Sequence, residues 1–178
     1  MKKFLFLLLL TAASLGAEAV NLDLGSRGRL TLYFPEGWKA ATTDMAGQMT
    51  VNVSPAGDEN AACSLLITFP QEDRVDTKPR LKLRVEADCL PIAEGSVERK
   101  AIAKEFSLGA GFGFYCSFTD PELRGKPPEK GNYKVMSIGK IRLAPDVLVE
   151  VSISADSFRD RPYQDLLGAI EGMEYRRR

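Results

Sequence analysis

Apolar and polar residues alternate with a period of two through much of this chain, the pattern of strands that bury one face. Leu30, Leu32 and Phe34 alternate with Thr31 and Tyr33, and Met49, Val51 and Val53 with Thr50 and Asn52. Between them, Phe34-Pro35-Glu36-Gly37-Trp38 predicts a turn, because proline and glycine supply backbone angles at which a sheet ends. Trp38, the single tryptophan, is expected to anchor that turn to the core. Cys63, Leu65, Ile67 and Phe69 form a third stripe, stopped by Pro70, and Phe112, Phe114, Cys116 and Phe118 a strongly apolar fourth. Tyr133 to Leu143 and Val147 to Ala155 predict a hairpin closed by Ala144-Pro145-Asp146. Residues 96–106 are mostly charged, with Ile102 and Phe106 as apolar contacts, and predict an edge strand guarded by Lys and Glu.

Over residues 77–93 both periods fit, since Leu81, Leu83, Val85, Ala87 and Cys89 alternate while Leu81, Val85, Cys89 and Ile92 share one helix face. Good helix formers, Thr77 in a capping position and Pro79 in the first turn decide for a helix. It is expected to end near Leu90, because Pro91 has no N–H to continue it. Tyr163, Leu166, Leu167, Ile170 and Met173 predict a second helix from about Pro162, with Asp160 near its start. The expected fold class is α+β: a single antiparallel β-sheet of about six or seven strands packed by two helices. No repeat, low-complexity tract or long linker divides the chain.

The N-terminus follows a different pattern. Lys2 and Lys3 precede an unbroken apolar run from Phe4 to Leu10, and Ala17-Glu18-Ala19 places small residues where a signal peptidase accepts them. Residues 1–19 are therefore expected to be a cleaved signal peptide, and residues 20–178 a single domain ending in a short basic tail. The run is shorter than the ~20 residues needed to span a bilayer. Since the first cysteine is Cys63, no lipid-bearing cysteine stands at the cleavage point. The short Lys-Lys head suits bacterial export, so the expected location is periplasmic or secreted, without a stable membrane anchor.

The chain has 24 basic and 24 acidic residues, and loss of Lys2, Lys3 and Glu18 leaves one acid in excess. A nucleic-acid binder gathers a basic surplus, so no nucleic-acid partner is expected. The Tyr175-Arg176-Arg177-Arg178 terminus predicts a solvated tail, with weak attraction to anionic lipid as the other reading. Histidine is absent from the sequence. That closes Ser-His and Cys-His nucleophile pairs and histidine-bearing zinc, copper or haem sites. Carboxylate, lysine, tyrosine and thiol chemistry stay open, and no cofactor is implied.

Each remaining candidate has a structural reading beside its chemical one. Gly109-Ala110-Gly111-Phe112-Gly113 opens onto an aromatic strand rather than a helix N-terminus, which fits a turn with close backbone contact better than a phosphate loop. Cys63, Cys89 and Cys116 are too dispersed for a C-x-x-C motif. They read either as one disulfide, with Cys63 and Cys116 the preferred pair, or as three small buried thiols. The segment 119–132 is expected as a polar loop whose Asp120, Glu122, Arg124, Lys126, Glu129 and Lys130 either grip a partner or simply face solvent. Asp120 with Glu122, Asp44 with Asp58, and Glu72 with Asp73 are the carboxylate pairs available for acid–base work, and no pattern selects among them.

The order strand, Phe-Pro-Glu-Gly-Trp turn, strands, helix, strands, helix resembles the PsbP-like fold, shared by the extrinsic P subunit of photosystem II and the Ran-binding import factor Mog. Gly95 to Lys100, Gly113 to Asp120 and Gly131 to Met136 are similar to a set of uncharacterised exported bacterial proteins. The likeness spans most of the chain after the leader, but its motifs are structural, and a fold does not fix function. The resemblance implies a non-catalytic accessory or binding protein, and it carries over neither functional residues nor photosystem or Ran binding. The expected function is an exported binding or accessory protein, not an enzyme, acting on a protein or small ligand in the cell envelope. The alternatives are a small histidine-free enzyme using carboxylate or tyrosine chemistry, and an envelope structural protein that assembles through an open sheet edge.

Overall fold

A computed structural model of the chain describes residues 18–45, 47–71 and 76–178. The expected signal peptide thus lies outside the described residues up to position 17, as do Glu72 and Asp73. The elements run β1 (Glu18–Asp23), β2 (Arg29–Phe34), β3 (Trp38–Met45), β4 (Gln48–Pro55), β5 (Ala61–Thr68), α1 (Lys78–Gly95), β6 (Lys104–Glu105), β7 (Phe112–Thr119), β8 (Val135–Ala144), β9 (Val147–Ala155), α2 (Arg161–Glu171) and β10 (Glu174–Arg176). The fold is α+β, as the alternation predicts. Seven antiparallel strands in the order β3-β4-β5-β9-β8-β7-β6 form the main sheet. Beside it stands a second sheet of three strands, β1-β2-β10, which the sequence pattern does not separate from the first.

The two faces of the main sheet are covered differently. One packs against β2 of the small sheet and against α2, enclosing Leu30, Leu32, Phe34, Val51, Leu65, Ile67, Val149, Ile153, Leu166 and Ile170 in the principal core. On the other, α1 lies across β7 and the adjoining part of β8, setting Leu81, Val85, Cys89 and Ala93 against Phe114, Cys116 and Phe118. This i, i+4 spacing is one face of a helix, and the aromatic stripe of β7 is what it buries.

Several expectations are corrected. Residues 38–45 form strand β3, for which the alternation gave no sign: only Trp38 is buried there, as an edge strand allows. The helix α1 does not stop at Leu90 but runs through Pro91 to Gly95. Packing of Ala93 and Ile92 in the α1–β7 cluster holds the last turn despite the hydrogen bond that proline cannot donate. Residues 96–103 are not an edge strand: only Lys104 and Glu105 pair with β7, and Ile102 is exposed. Arg99 there has φ 55°, a left-handed conformation incompatible with a continuous strand. The basic terminus is no solvated tail, because Glu174–Arg176 pairs with β2 and the Tyr175 hydroxyl donates to the Arg27 carbonyl at 2.6 Å.

The glycine cluster behaves as a turn with close backbone contact. Gly111 has φ 74°, and a Cβ there would lie 2.2 Å from the carbonyl oxygen of Arg142. Trp38 is buried in the principal core, as expected of an anchor.

Candidate binding face and cleft

Alternation along β9, β5 and β4 sends one set of residues into the principal core and the other to the face that carries α1. Register places Ser152, Ser64, Asn52 and Ala41 in one row across β9, β5, β4 and β3, with Ser154, Ala62, Ser54 and Lys39 in the row beside it. Since α1 packs on β7 and β8, this half of the face carries no described helix. Its residues are half-buried or exposed, and the Ser64 hydroxyl donates to Asn52 Oδ1 at 2.9 Å. The result is a hollow of about 340 Å³ lined mainly by short hydroxyl, amide and methyl side chains, with Lys39 also among its lining residues. Short side chains leave room above the sheet and present donors and acceptors at low conformational cost.

At Ser154 this face meets a cleft of about 370 Å³. Pro91, Ile92, Gly95 and Ser96 at the end of α1 form one wall, and Tyr133, Lys134, Val135 and Met136 at the start of β8 the other. Phe118, Thr119, Asp120 and Pro121 close its end. The lining is mainly apolar, with Asp120, Tyr133 and Lys134 among its polar residues. Local bonds fix the shape: Val97 N–H donates to the Thr119 carbonyl at 3.0 Å and Asp120 N–H to the Lys134 carbonyl at 2.8 Å. Glu98 accepts both the N–H and the hydroxyl of Thr119 at 2.8 Å. Burial would raise the Glu98 pKa, but these bonds outweigh it and hold the carboxyl below its ordinary value.

The charged loop does not act as one group. Asp120 lines the cleft, and its Oδ1 accepts the N–H of Glu122 at 2.7 Å, closing a local turn. Glu122, Arg124 and Lys126 lie on exposed turns beyond it. The far end is tied down by Asn60, whose amide donates to the carbonyls of Glu129 and Asn132 and to Asp156 Oδ1 at 3.0–3.1 Å, while its Oδ1 accepts Gly131 N–H at 2.9 Å. Lys130 reaches Asp58 at 3.6 Å, and Glu129 accepts from the Asn132 amide at 2.8 Å. A single asparagine on the β4–β5 connection thus converts the second half of the loop into fixed structure, and no sequence signal near 119–132 marks it.

Of the carboxylate pairs, Asp44 and Asp58 are far apart along the sheet. Asp44 lies opposite Met49 near one end of the β3–β4 ribbon, whereas Asp58 follows its other end, where Trp38 pairs with Pro55. Among the described residues no group of three or more Cys, Asp or Glu side chains is placed to hold a metal ion, and no helix is long and apolar enough to cross a membrane.

The preferred cysteine pairing is also corrected. Cys63 shares a row with Ile153, Ser137 and Ser117, and Cys116 sits one residue before Ser117, so the two thiols point to opposite faces of the sheet. They are also three strand spacings apart, roughly 14 Å, where a disulfide needs Cα atoms within ~7 Å. Burial pushes the Cys63 thiol up to about 12. Cys89 and Cys116, by contrast, lie in one buried cluster beneath α1. Interaction with Cys116 holds Cys89 below the ordinary thiol value, against burial and the nearby Asp88, while interaction with Cys89 and burial push Cys116 up.

No protein-family model matches the chain, and no curated protein sequence matches it. Among solved structures the chain is similar to that of a mutant of the protein Mog1, at 17% identity over 89% of this chain and 95% of that one, with a TM-score of 0.48.

Proposed function

We propose that this protein is an exported, non-catalytic binding or accessory module of the bacterial envelope or exterior, and that it receives a segment of a partner protein on the open half of its main sheet. The observation that carries the reading is the continuity, at Ser154, of a polar sheet face with an apolar cleft. Protein interfaces combine a dry pocket that takes an anchor side chain with a surrounding hydrogen-bonding surface. The cleft at Ile92, Phe118 and Met136 suits the anchor, and the Ser64–Asn52 face suits the surround. The leader pattern over residues 1–19 supports the address.

Fractionation with N-terminal mass mapping tests the address: a species beginning at Val20 in the exported fraction is expected, and a stable unprocessed cytoplasmic form overturns it. In-cell crosslinking of the tagged protein tests the binding half. A recovered partner that also binds the purified protein is expected, whereas turnover of a substrate with no partner overturns the reading.

A second reading rests on the edge strand β3. Its eight residues pair on one side only, with β4, leaving the other side open to a further strand. The structural alternative therefore moves from residues 96–106 to β3, and light scattering tests it: mass that rises with concentration favours sheet extension, and a constant monomer removes it.

A further inference from the structure

We infer that Cys89 and Cys116 form a disulfide site, in which Cys89 is the thiol that meets an incoming disulfide and Cys116 the one that resolves it. Geometry carries the assignment. Cys89 lies on the buried stripe of α1, and its Sγ is 3.9 Å from the carbonyl oxygen of Ile138, the residue directly opposite Cys116 in the β7–β8 ladder. Both thiols belong to the buried α1–β7 cluster, from which Cys63 is absent.

Access separates the roles. Both thiols are buried, but a cleft of about 250 Å³ beside α1 is lined by Val85, Asp88, Cys89, Ile138, Lys140 and Glu150, and Cys116 is not among its lining residues. Lys140 stands in that cleft, paired to Glu150 at 2.6 Å and to Asp88 at 3.4 Å. Asp88 disfavours the Cys89 thiolate, the nucleophile of thiol–disulfide exchange, and the Lys140 cation offsets part of that effect.

The reaction needs a disulfide donor, either a small molecule or another protein. The Cys89 thiolate attacks one donor sulfur, the donor S–S bond breaks, and the first donor thiolate leaves. Cys116, deprotonated, then attacks the Cys89 sulfur of the mixed disulfide and expels the second donor sulfur. The two cysteine protons end on the two donor thiolates; the pair loses two electrons and the donor gains them. The product ties α1 to β7 and leaves Cys63 a free thiol.

The test treats the folded full chain with excess oxidised glutathione, blocks remaining thiols in denaturant and maps the tryptic peptides. The expected result is one blocked thiol, at Cys63, and a linkage between the peptides spanning residues 85–99 and 105–124. Three blocked thiols, or a linkage that includes Cys63, overturns the inference. The roles are read from two variants: Cys116→Ala is expected to retain glutathione on Cys89, and Cys89→Ala to leave Cys116 unmodified. Glutathione retained on Cys116 in Cys89→Ala, with none on Cys89 in Cys116→Ala, overturns the order of attack. If a variant does not fold, the wild-type peptide map still decides the pairing.

Discussion

Glu98 holds Thr119 with both carboxylate oxygens, one accepting the backbone N–H and the other the hydroxyl, each at 2.8 Å. With the Val97–Thr119 backbone bond, this fastens the segment after α1 to the end of β7 and so fixes the mouth of the cleft. The carboxyl is exposed, so the contribution is small, and it has a definite pH signature.

Because these bonds lower the folded-state pKa of Glu98, their stabilisation is present above the unfolded value and is lost as pH falls through the folded one. Glu98→Gln is expected to cost under about 1 kcal/mol at neutral pH. The gap should close only as pH falls through the lowered folded-state pKa of Glu98, below which the wild-type carboxyl is protonated in both states. Urea midpoints of both proteins at neutral and acidic pH check this, and a gap that persists in acid would contradict it.

In the principal core, the Ser137 hydroxyl lies 2.6 Å from the Tyr163 hydroxyl and 2.9 Å from that of Ser117. Tyr163 is buried, so Ser137→Ala strands its phenol without the serine partner and should cost ~1–3 kcal/mol. Tyr163→Phe leaves Ser137 still bonded to Ser117 and should cost less. Equal losses in denaturant unfolding would show that the chain of hydroxyls does not act as described.

Two glycines of one cluster should respond differently. Gly111→Ala places a Cβ 2.2 Å from a backbone oxygen at a positive φ, while a Cβ at Gly109 meets nothing within 4 Å. The first is expected to lower the unfolding free energy by about 1–3 kcal/mol, and the second to leave it within about 0.5 kcal/mol. Urea midpoints with unchanged slopes decide the matter.

Pro91 interrupts α1 well beyond its first turn, where Pro79 sits, and it lies on the exposed surface. Pro91→Ala restores an N–H donor to the helix and should stabilise the fold, by up to about 3 kcal/mol. A neutral or destabilising result would mean that Pro91 contributes packing at the cleft wall that alanine cannot replace.

What the sequence discloses depends on how local the cause is. The stripes of β2, β5, β7 and β9 are legible because each buries every second residue. Strand β3 is not, because an edge strand anchored only by Trp38 need not alternate. Pro91 marks a helix end by local rule, and packing of Ala93 overrides it. Ser64, Asn52, Ser152 and Ser154 look like ordinary outward positions along their strands. They become a candidate site only through where α1 comes to rest, which no local pattern contains. The cysteines show the same limit: pairing Cys63 with Cys116 follows from both being inward, but two inward faces of a sheet covered on both sides are not the same face.

The most direct test of the binding account is site-resolved photocrosslinking in cells, with the crosslinking side chain placed in turn at Asn52, Ser64 and Ser154 on the open face and at Gln164 on the exposed side of α2. The account expects one protein to be captured from the three sheet positions and not from Gln164. Capture from Gln164 alone, or equally from all four, would contradict it.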